Sequence, residues 1–214
     1  PDIAAALCSA TPSCTNFSGH AFANPSVLTE DFKSQSVTII GVEEFEFFIE
    51  KNNLSDQIYG ETDMDYASIK SSFLQSELSP ELKEILFEYV LNSRKPLAIR
   101  SSGLFEDSFM QPFSGVYNTY LLPNNHKDVT VRFNQLQSAV KPVYASIFSD
   151  SSKNYFNAVN YKIEEEKMAV IIQEIIGNKH EEYFYSDMSG VAQSYNYYPF
   201  AYMEPDDGFS VAAV

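Results

Sequence analysis

The fold is decided by a short stretch of the chain that reads Leu97-Ala-Ile-Arg-Ser-Ser-Gly103. Its apolar residues run into an arginine, two serines and a glycine, which predicts a buried strand that emerges into a polar loop. A guanidinium at the end of a strand, with hydroxyl groups beside it, suits a phosphate ligand because its planar fork carries a fixed charge. Arg100 and Ser101 are therefore candidate phosphate contacts. The alternative is a structural ion pair between Arg100 and Glu106 or Asp107.

A second polar stretch follows, Pro112-Phe-Ser-Gly-Val-Tyr-Asn-Thr119. It begins in a predicted loop and leads into an alternating, β-rich segment, Val116 to Leu122, which predicts a strand. Gly115 allows the backbone to approach a ligand closely, and Ser114 and Thr119 offer hydroxyl groups. A single glycine without a Walker-type lysine is a weak signal for a phosphate loop, so an ordinary turn is the alternative.

The run from Met168 to Ile176 is apolar and β-branched, interrupted only by Gln173 and Glu174. It predicts a central strand. Two polar residues at the end of a buried strand need partners or a ligand, and adenine is one ligand whose edge offers donors and acceptors. The alternative is a strand that simply reaches the surface there. Just upstream, the three acids Glu164-Glu-Glu166 are predicted to be solvated.

The remaining chain predicts helices first and mostly strands later, which indicates the α+β class. Cap residues and apolar residues at helical spacing predict helices over residues 43–51, 65–74, 79–92 and 128–149. β-Branched or alternating runs predict further strands over residues 37–40, 182–198 (in two halves that meet at Ser189-Gly190) and 208–214.

The charge of the chain excludes two classes of partner. Lys plus Arg number 14 and Asp plus Glu number 29, so the net charge is −15. A field of this sign repels nucleic-acid backbones and anionic membrane surfaces, so neither is an expected partner. Any phosphate-bearing ligand must therefore be held by a local group of donors, which makes a well-placed arginine informative.

Other sequence features bear on the compartment and on the ends of the chain. Cys8 and Cys14 are too few for a disulfide framework, and no Cys/His spacing matches a zinc site. No apolar run approaches the length of a transmembrane helix, and a cytoplasmic location is expected. The chain starts at Pro1 and stops in the apolar run Ser210 to Val214, so we expect a fragment whose last strand has an exposed edge and self-associates.

The stretches quoted above resemble the N-terminal ATP-binding domain of phosphoenolpyruvate synthase and pyruvate phosphate dikinase. The block Pro96 to Ser108 is similar to that family's Val-Arg-Ser-Ser signature with its Glu-Asp-Ser end. Val143-Tyr-Ala-Ser-Ile-Phe148 is similar to the family's Trp-Ala-Ser-Leu-Phe helix, with Tyr144 in place of tryptophan. The strand Met168 to Ile176 is similar to the family's Ala-Val-Val-Val-Gln strand. The resemblance covers about residues 37 to 214.

The resemblance implies an ATP-grasp fold with mixed or antiparallel sheets and packed helices. In that fold two subdomains hold ATP and magnesium, and a phosphoryl group passes to a histidine of a separate domain. Arg100 is then the expected catalytic residue, with its guanidinium in the cleft between the subdomains. The implied phosphate contacts are Arg100, Ser101, Ser114, Gly115 and Thr119. The implied adenine contacts are Gln173, Glu174, Ile175 and Ile176.

The chain also departs from the family's pattern. Nothing matches the family's Gly-Gly-Lys element, whose lysine holds phosphate, and residues 1–36 are predicted to be an irregular segment. The magnesium-binding acids, the phosphohistidine domain and the domain that binds pyruvate or phosphoenolpyruvate are expected beyond residue 214. The expected function is therefore the ATP-binding part of such a phosphotransferase, over residues 37–214. The alternative is a non-catalytic ATP-grasp-like module for regulation or interaction.

Overall fold

A computed structural model describes residues 37–60, 64–105 and 115–213. These residues form two compact units, one that ends at Ile175 and one that begins at Ile176. In chain order the elements of the first unit are β1 (Val37–Ile40), α1 (Val42–Lys51), α2 (Ser55–Tyr59), α3 (Tyr66–Gln75), α4 (Pro80–Asn92), β2 (Leu97–Gly103), β3 (Tyr120–Leu122), α5 (Val129–Ala145), α6 (Asp150–Val159) and β4 (Met168–Glu174). Short 3-10 helices cover Ser146–Phe148 and Ile163–Glu165.

The first unit is built on one antiparallel sheet with the strand order β1-β4-β2-β3. The central strand β4 pairs with β2 along its whole length, from Leu97 opposite Glu174 to Gly103 opposite Met168. On its other side β4 pairs with all four residues of β1. The strand predicted from the apolar run at 168–176 is therefore confirmed as the centre of the sheet.

The two faces of this sheet differ in burial. Along β4 the side chains of Met168, Val170 and Ile172 are fully buried, while the alternate residues Ala169 and Ile171 are only half-buried. Successive side chains of a strand point to opposite faces, so every second residue belongs to the same layer. Helices α1 and α5 pack on the buried face. We call the opposite side of the sheet its outer face.

Three of the helices begin where the sequence predicts. Asp65, Ser79 and Asp128 each accept a hydrogen bond from a backbone N–H two or three residues further on, at the start of α3, α4 and α5 respectively. Such a cap satisfies an otherwise unpaired donor and typically stabilises a helix by about 1 kcal/mol. These local signals explain why the helix starts could be predicted without knowledge of the fold.

The core between the helices and the sheet is aromatic. Phe45 and Phe48 of α1 pack against Tyr144 of α5, with ring centroids 5.2 and 5.5 Å apart, and Phe73 of α3 packs against Phe48 and Phe148. All five side chains are at most 2% exposed. Burial of each such side chain contributes roughly 1.5–3 kcal/mol before the entropy of ordering is counted, so this cluster fixes the helix layer on the sheet.

The second unit contains two antiparallel hairpins. One pairs β5 (Asn178–His180) with β6 (Tyr183–Tyr185), and the other pairs β7 (Ser189–Gln193) with β8 (Phe209–Ala213). The sequence predicted strand character over residues 182–198 and 208–214 but missed β5. That strand is short and carries no apolar residue, so it has no hydrophobic pattern to recognise.

The α+β class is confirmed, and several predicted boundaries are wrong. The strand predicted over Val116 to Leu122 is confined to β3, because β3 pairs with β2 only as far as Ile99. The helix predicted over residues 128–149 ends at Ala145. Ser149 then caps α6, which the sequence did not predict, by accepting a hydrogen bond from the Ser152 N–H. The predicted irregular segment 1–36 lies outside the described residues.

Candidate functional site

The outer face of the sheet carries two of the eight predicted ligand contacts that the structure describes, Arg100 and Gln173. The strand register and the alternation of side chains assign nine residues to this face: Val37, Ile39, Ala98, Arg100, Ser102, Leu121, Ala169, Ile171 and Gln173. Ile39 is 45% and Leu121 68% exposed, and Arg100 is exposed between them. The face is thus mainly apolar, with one cation, one amide and one hydroxyl group near its middle.

Arg100 lies within its strand and not at the end that the sequence indicated, because β2 continues through Ser101 and Ser102 to Gly103. Its guanidinium Nη1 donates a hydrogen bond to Gln173 Oε1 at 3.4 Å. This distance is at the long end of the hydrogen-bond range, so the contact restrains the arginine only weakly. The structural partners proposed as an alternative, Glu106 and Asp107, lie outside the described residues.

The two serines after Arg100 face opposite ways. Ser101 stands opposite Val170, which belongs to the buried face, whereas Ser102 stands opposite Ala169 on the outer face. The predicted contact Ser101 is therefore separated from Arg100 by the thickness of the sheet. Ser102, which was not a predicted contact, shares a face with Arg100.

The predicted adenine contacts divide in the same way. Gln173 is on the outer face, but Glu174 is 6% exposed, pairs with Lys95 Nζ at 2.7 Å and accepts a hydrogen bond from Ser93 Oγ at 2.6 Å. The Ile175 N–H donates to the Pro96 carbonyl at 2.8 Å. The side chain of Glu174 and the amide of Ile175 are thus engaged within the fold.

The remaining predicted contacts are less constrained. Ile176 is 53% exposed and begins the second unit. Gly115 has a φ of +83°, a conformation that favours glycine, and no described residue lies within 4 Å of the place that a Cβ would take. Thr119 is exposed just before β3. Ser114 lies outside the described residues.

A buried carboxylate that the sequence analysis missed lies beside these residues. Glu166 was predicted to be solvated, but it is 1% exposed and accepts a hydrogen bond from Tyr117 Oη at 2.8 Å. It also accepts from the Phe105 N–H, at 3.1 and 3.3 Å to its two oxygens. A signal was present in the sequence: Glu166 lies two residues before Met168 and so shares the alternation of the buried face.

Glu166 also explains the glycine that ends β2. A Cβ on Gly103 would lie 2.6 Å from Tyr117 Cε2 and closer still to Glu166 Oε1, so no larger residue fits without displacement. The pKa of Tyr161 is raised to about 12, first by burial and then by the charge of Glu166.

No metal site can be built from the residues described here. Over 37–60, 64–105 and 115–213, no group of three or more His, Cys, Asp or Glu side chains is placed to hold an ion. Over the same ranges, no helix has the length and apolar character that a bilayer crossing requires.

The family of the chain follows from its similarity to known proteins. The family model for the AMP/ATP-binding domain of pyruvate phosphate dikinase matches residues 28–214. The chain belongs to this family. It is also 30% identical over 132 residues to the Bacillus subtilis (strain 168) protein named "Uncharacterized phosphotransferase YvkC". That match covers 60% of this chain and 14% of the relative. The chain is thus a member of an AMP/ATP-binding domain family with a phosphotransferase among its relatives.

Proposed function

We propose that this chain is the ATP-binding part of a phosphotransferase similar to phosphoenolpyruvate synthase and pyruvate phosphate dikinase, and that ATP binds on the outer face of the four-stranded sheet. The observation that carries the proposal is the clustering of Arg100, Ser102 and Gln173 on that face in a chain of this family. The phosphoryl group would then pass to a histidine in another domain. A cytoplasmic location and use of magnesium ligands elsewhere in the protein belong to the same proposal.

Electrostatics support a phosphate role for Arg100. The net charge of −15 opposes a polyanionic ligand, so binding needs a cation close to the phosphates. A hydrogen bond from a charged donor contributes roughly 1.5–3 kcal/mol, which is more than a neutral one supplies. Because Arg100 contacts Gln173 through a long hydrogen bond to a neutral amide, a phosphate can attract the guanidinium at little cost.

The proposed adenine contacts follow from which side chains are on the outer face of the sheet. Gln173 is retained as an adenine contact because it is on the face that holds Arg100. Ile176 stays a proposed adenine contact on the family resemblance alone. Glu174 is left out because its carboxylate is bonded to Lys95 and Ser93.

The loop that precedes β3 is retained from the family resemblance. Gly115 and Thr119 stay proposed phosphate contacts, as does Ser114, and Ser102 takes the place of Ser101.

A second candidate function is a non-catalytic module of the same fold. It is favoured by one feature of the sequence, the absence of a match to the family's Gly-Gly-Lys element, whose lysine holds phosphate. Such a module would bind no ATP or would bind it without transfer.

Titration of the chain with ATP in a calorimeter tests the proposed binding site and distinguishes it from a module that binds no ATP. Arg100→Ala should weaken ATP binding by about tenfold or more, since a loss of about 1.4 kcal/mol corresponds to tenfold. Arg100→Lys should recover only part of the affinity because it keeps the charge and loses the fork. Arg94→Ala is the matched control, since Arg94 is an exposed arginine that lies outside the sheet. No ATP binding by the unmodified chain, or equal affinity in the Arg100 and Arg94 variants, would refute the site.

A further inference from the structure

The structure assigns a positioning role to Glu166: we propose that its buried carboxylate pins the chain where it leaves β2 to the chain where it approaches β3, close to the proposed phosphate contact Gly115. The two pinned residues are Phe105, which follows the end of β2, and Tyr117, which lies between Gly115 and β3. The effect of this pin on ATP binding rests on the proposed function, whereas the contacts of Glu166 with Phe105 and Tyr117 do not.

The geometry at the end of β2 shows how the pin works. Strand pairing with β4 ends at Gly103 opposite Met168, and one further backbone bond follows, from the Leu104 N–H to the Lys167 carbonyl at 3.0 Å. At the next residue the Phe105 N–H turns to the side chain of Glu166. The carboxylate thus takes over from the backbone ladder at the point where β2 leaves β4.

The chain that approaches β3 is bonded to the same carboxylate. Tyr117 is 6% exposed, and its hydroxyl donates to Glu166 Oε1 at 2.8 Å. A Cβ on Gly103 would lie 2.6 Å from Cε2 of the Tyr117 ring, so this ring can pack against the end of β2 only because residue 103 is glycine. Phe105 is also packed, with its ring centroid 4.4 Å from that of Tyr161. Two donors from separate segments, the Phe105 N–H and the Tyr117 hydroxyl, therefore converge on one acid.

An isosteric amide cannot replace this acid. An ionised carboxylate only accepts hydrogen bonds, whereas an amide has one accepting oxygen and an NH2 group that donates. In Glu166→Gln the NH2 group takes the place of one of the two accepting oxygens and therefore faces an N–H or O–H donor. At least one buried hydrogen bond is lost without any change in side-chain volume. The variant consequently releases the pin while leaving the packing intact.

The test measures amide hydrogen exchange by NMR on the whole chain, without ATP. In Glu166→Gln the Phe105 amide should exchange about tenfold faster or more, since loss of about 1.4 kcal/mol of local stability corresponds to tenfold. The amide of Ile172, in the centre of β4, should change by less than about twofold. Glu44→Gln is the matched control: Glu44 Oε2 accepts a hydrogen bond from Ser79 Oγ at 2.8 Å, and its loss should leave Phe105 unaffected.

Titration with ATP on the same proteins tests the link to the ligand. ATP should bind Glu166→Gln about tenfold more weakly than the unmodified chain and bind Glu44→Gln equally well. Equal acceleration of exchange at Phe105 and Ile172, or none at Phe105, would overturn the pin. Faster exchange at Phe105 with unchanged ATP affinity would overturn its role for the ligand. If the unmodified chain binds no ATP, the proposed function fails while the exchange result still decides the pin.

Discussion

Lys95 and Glu174 form an ion pair, with Nζ and Oε2 2.7 Å apart, that joins the approach to β2 to the end of β4. Ser93 Oγ, just past the end of α4, donates to the other oxygen of the same carboxylate at 2.6 Å. The acid is nearly buried, whereas the Lys95 side chain is 58% exposed. Glu174 therefore connects a helix and two strands, and its role in this position is structural.

Removal of this carboxylate should cost stability and not ligand affinity. Glu174→Ala leaves Ser93 without its acceptor and should lower the free energy of unfolding by about 1–3 kcal/mol. Lys95→Ala is the control and should cost less than about 1 kcal/mol, because solvent screens an exposed partner. Urea unfolding gives both values. Weaker ATP binding with unchanged stability in Glu174→Ala would instead support the adenine contact predicted from the sequence.

Gly103→Ala should destabilise the chain strongly. The new Cβ would meet the ring of Tyr117 and the carboxylate of Glu166, and neither can move freely because both are buried. Overpacking of this kind costs roughly 1–3 kcal/mol in thermal or urea unfolding.

Gly41→Ala is the matched control for that variant, because its Cβ would meet only the carboxyl end of the exposed Glu43 side chain. Similar losses of stability in the two variants would contradict the close packing at Gly103.

Tyr144→Phe should leave stability unchanged or raise it. The Tyr144 side chain is fully buried, and its hydroxyl has no hydrogen-bond partner among the described residues. Burial raises the pKa of this phenol, and the charge of Glu44 raises it further. Loss of an unsatisfied buried hydroxyl removes a desolvation penalty of about 1–3 kcal/mol, offset in part by the small cavity left behind.

Tyr117→Phe provides the contrast, since this variant removes a hydroxyl that donates to Glu166. It should lose about 1 kcal/mol in the same unfolding experiment. A larger loss for Tyr144→Phe than for Tyr117→Phe would show that Tyr144 has a partner.

Stability should fall as the solution becomes strongly alkaline. The pKa values of Tyr59 and Tyr161 are both raised from 10.0 to about 12, in each case first by burial and then by nearby carboxylates. Above pH 10 these phenols ionise in the unfolded chain but stay protonated in the folded one, so the folded state binds more protons and loses stability as the pH rises towards 12. Urea unfolding between about pH 9 and 11 measures the slope. Tyr161→Phe should make it shallower, and an unchanged slope would contradict the raised pKa.

The parts of this fold that the sequence predicts are those with local signals. The caps at Ser79 and Asp128 and the apolar run of β4 identify helices and a central strand without any tertiary information. The register of β2 on β4 is not local, and it decides that Ser101 and Arg100 are on opposite faces. The burial of Glu166 likewise depends on donors that come from two distant segments, so charge alone gave the wrong prediction.

The pairing of β1 with β4 has a consequence for how the chain is made. Val37 pairs with Gln173 and Ile40 with Val170, so the first strand of the sheet finds its partner only when almost the whole first unit has been synthesised. At about 5–20 residues per second the ribosome needs on the order of ten seconds to supply β4. Until β4 emerges the aromatic face of α1 lacks the central strand of its sheet, and for most of that interval it lacks Tyr144 as well. Chaperone demand during translation should therefore peak before β4 emerges and fall sharply once it does.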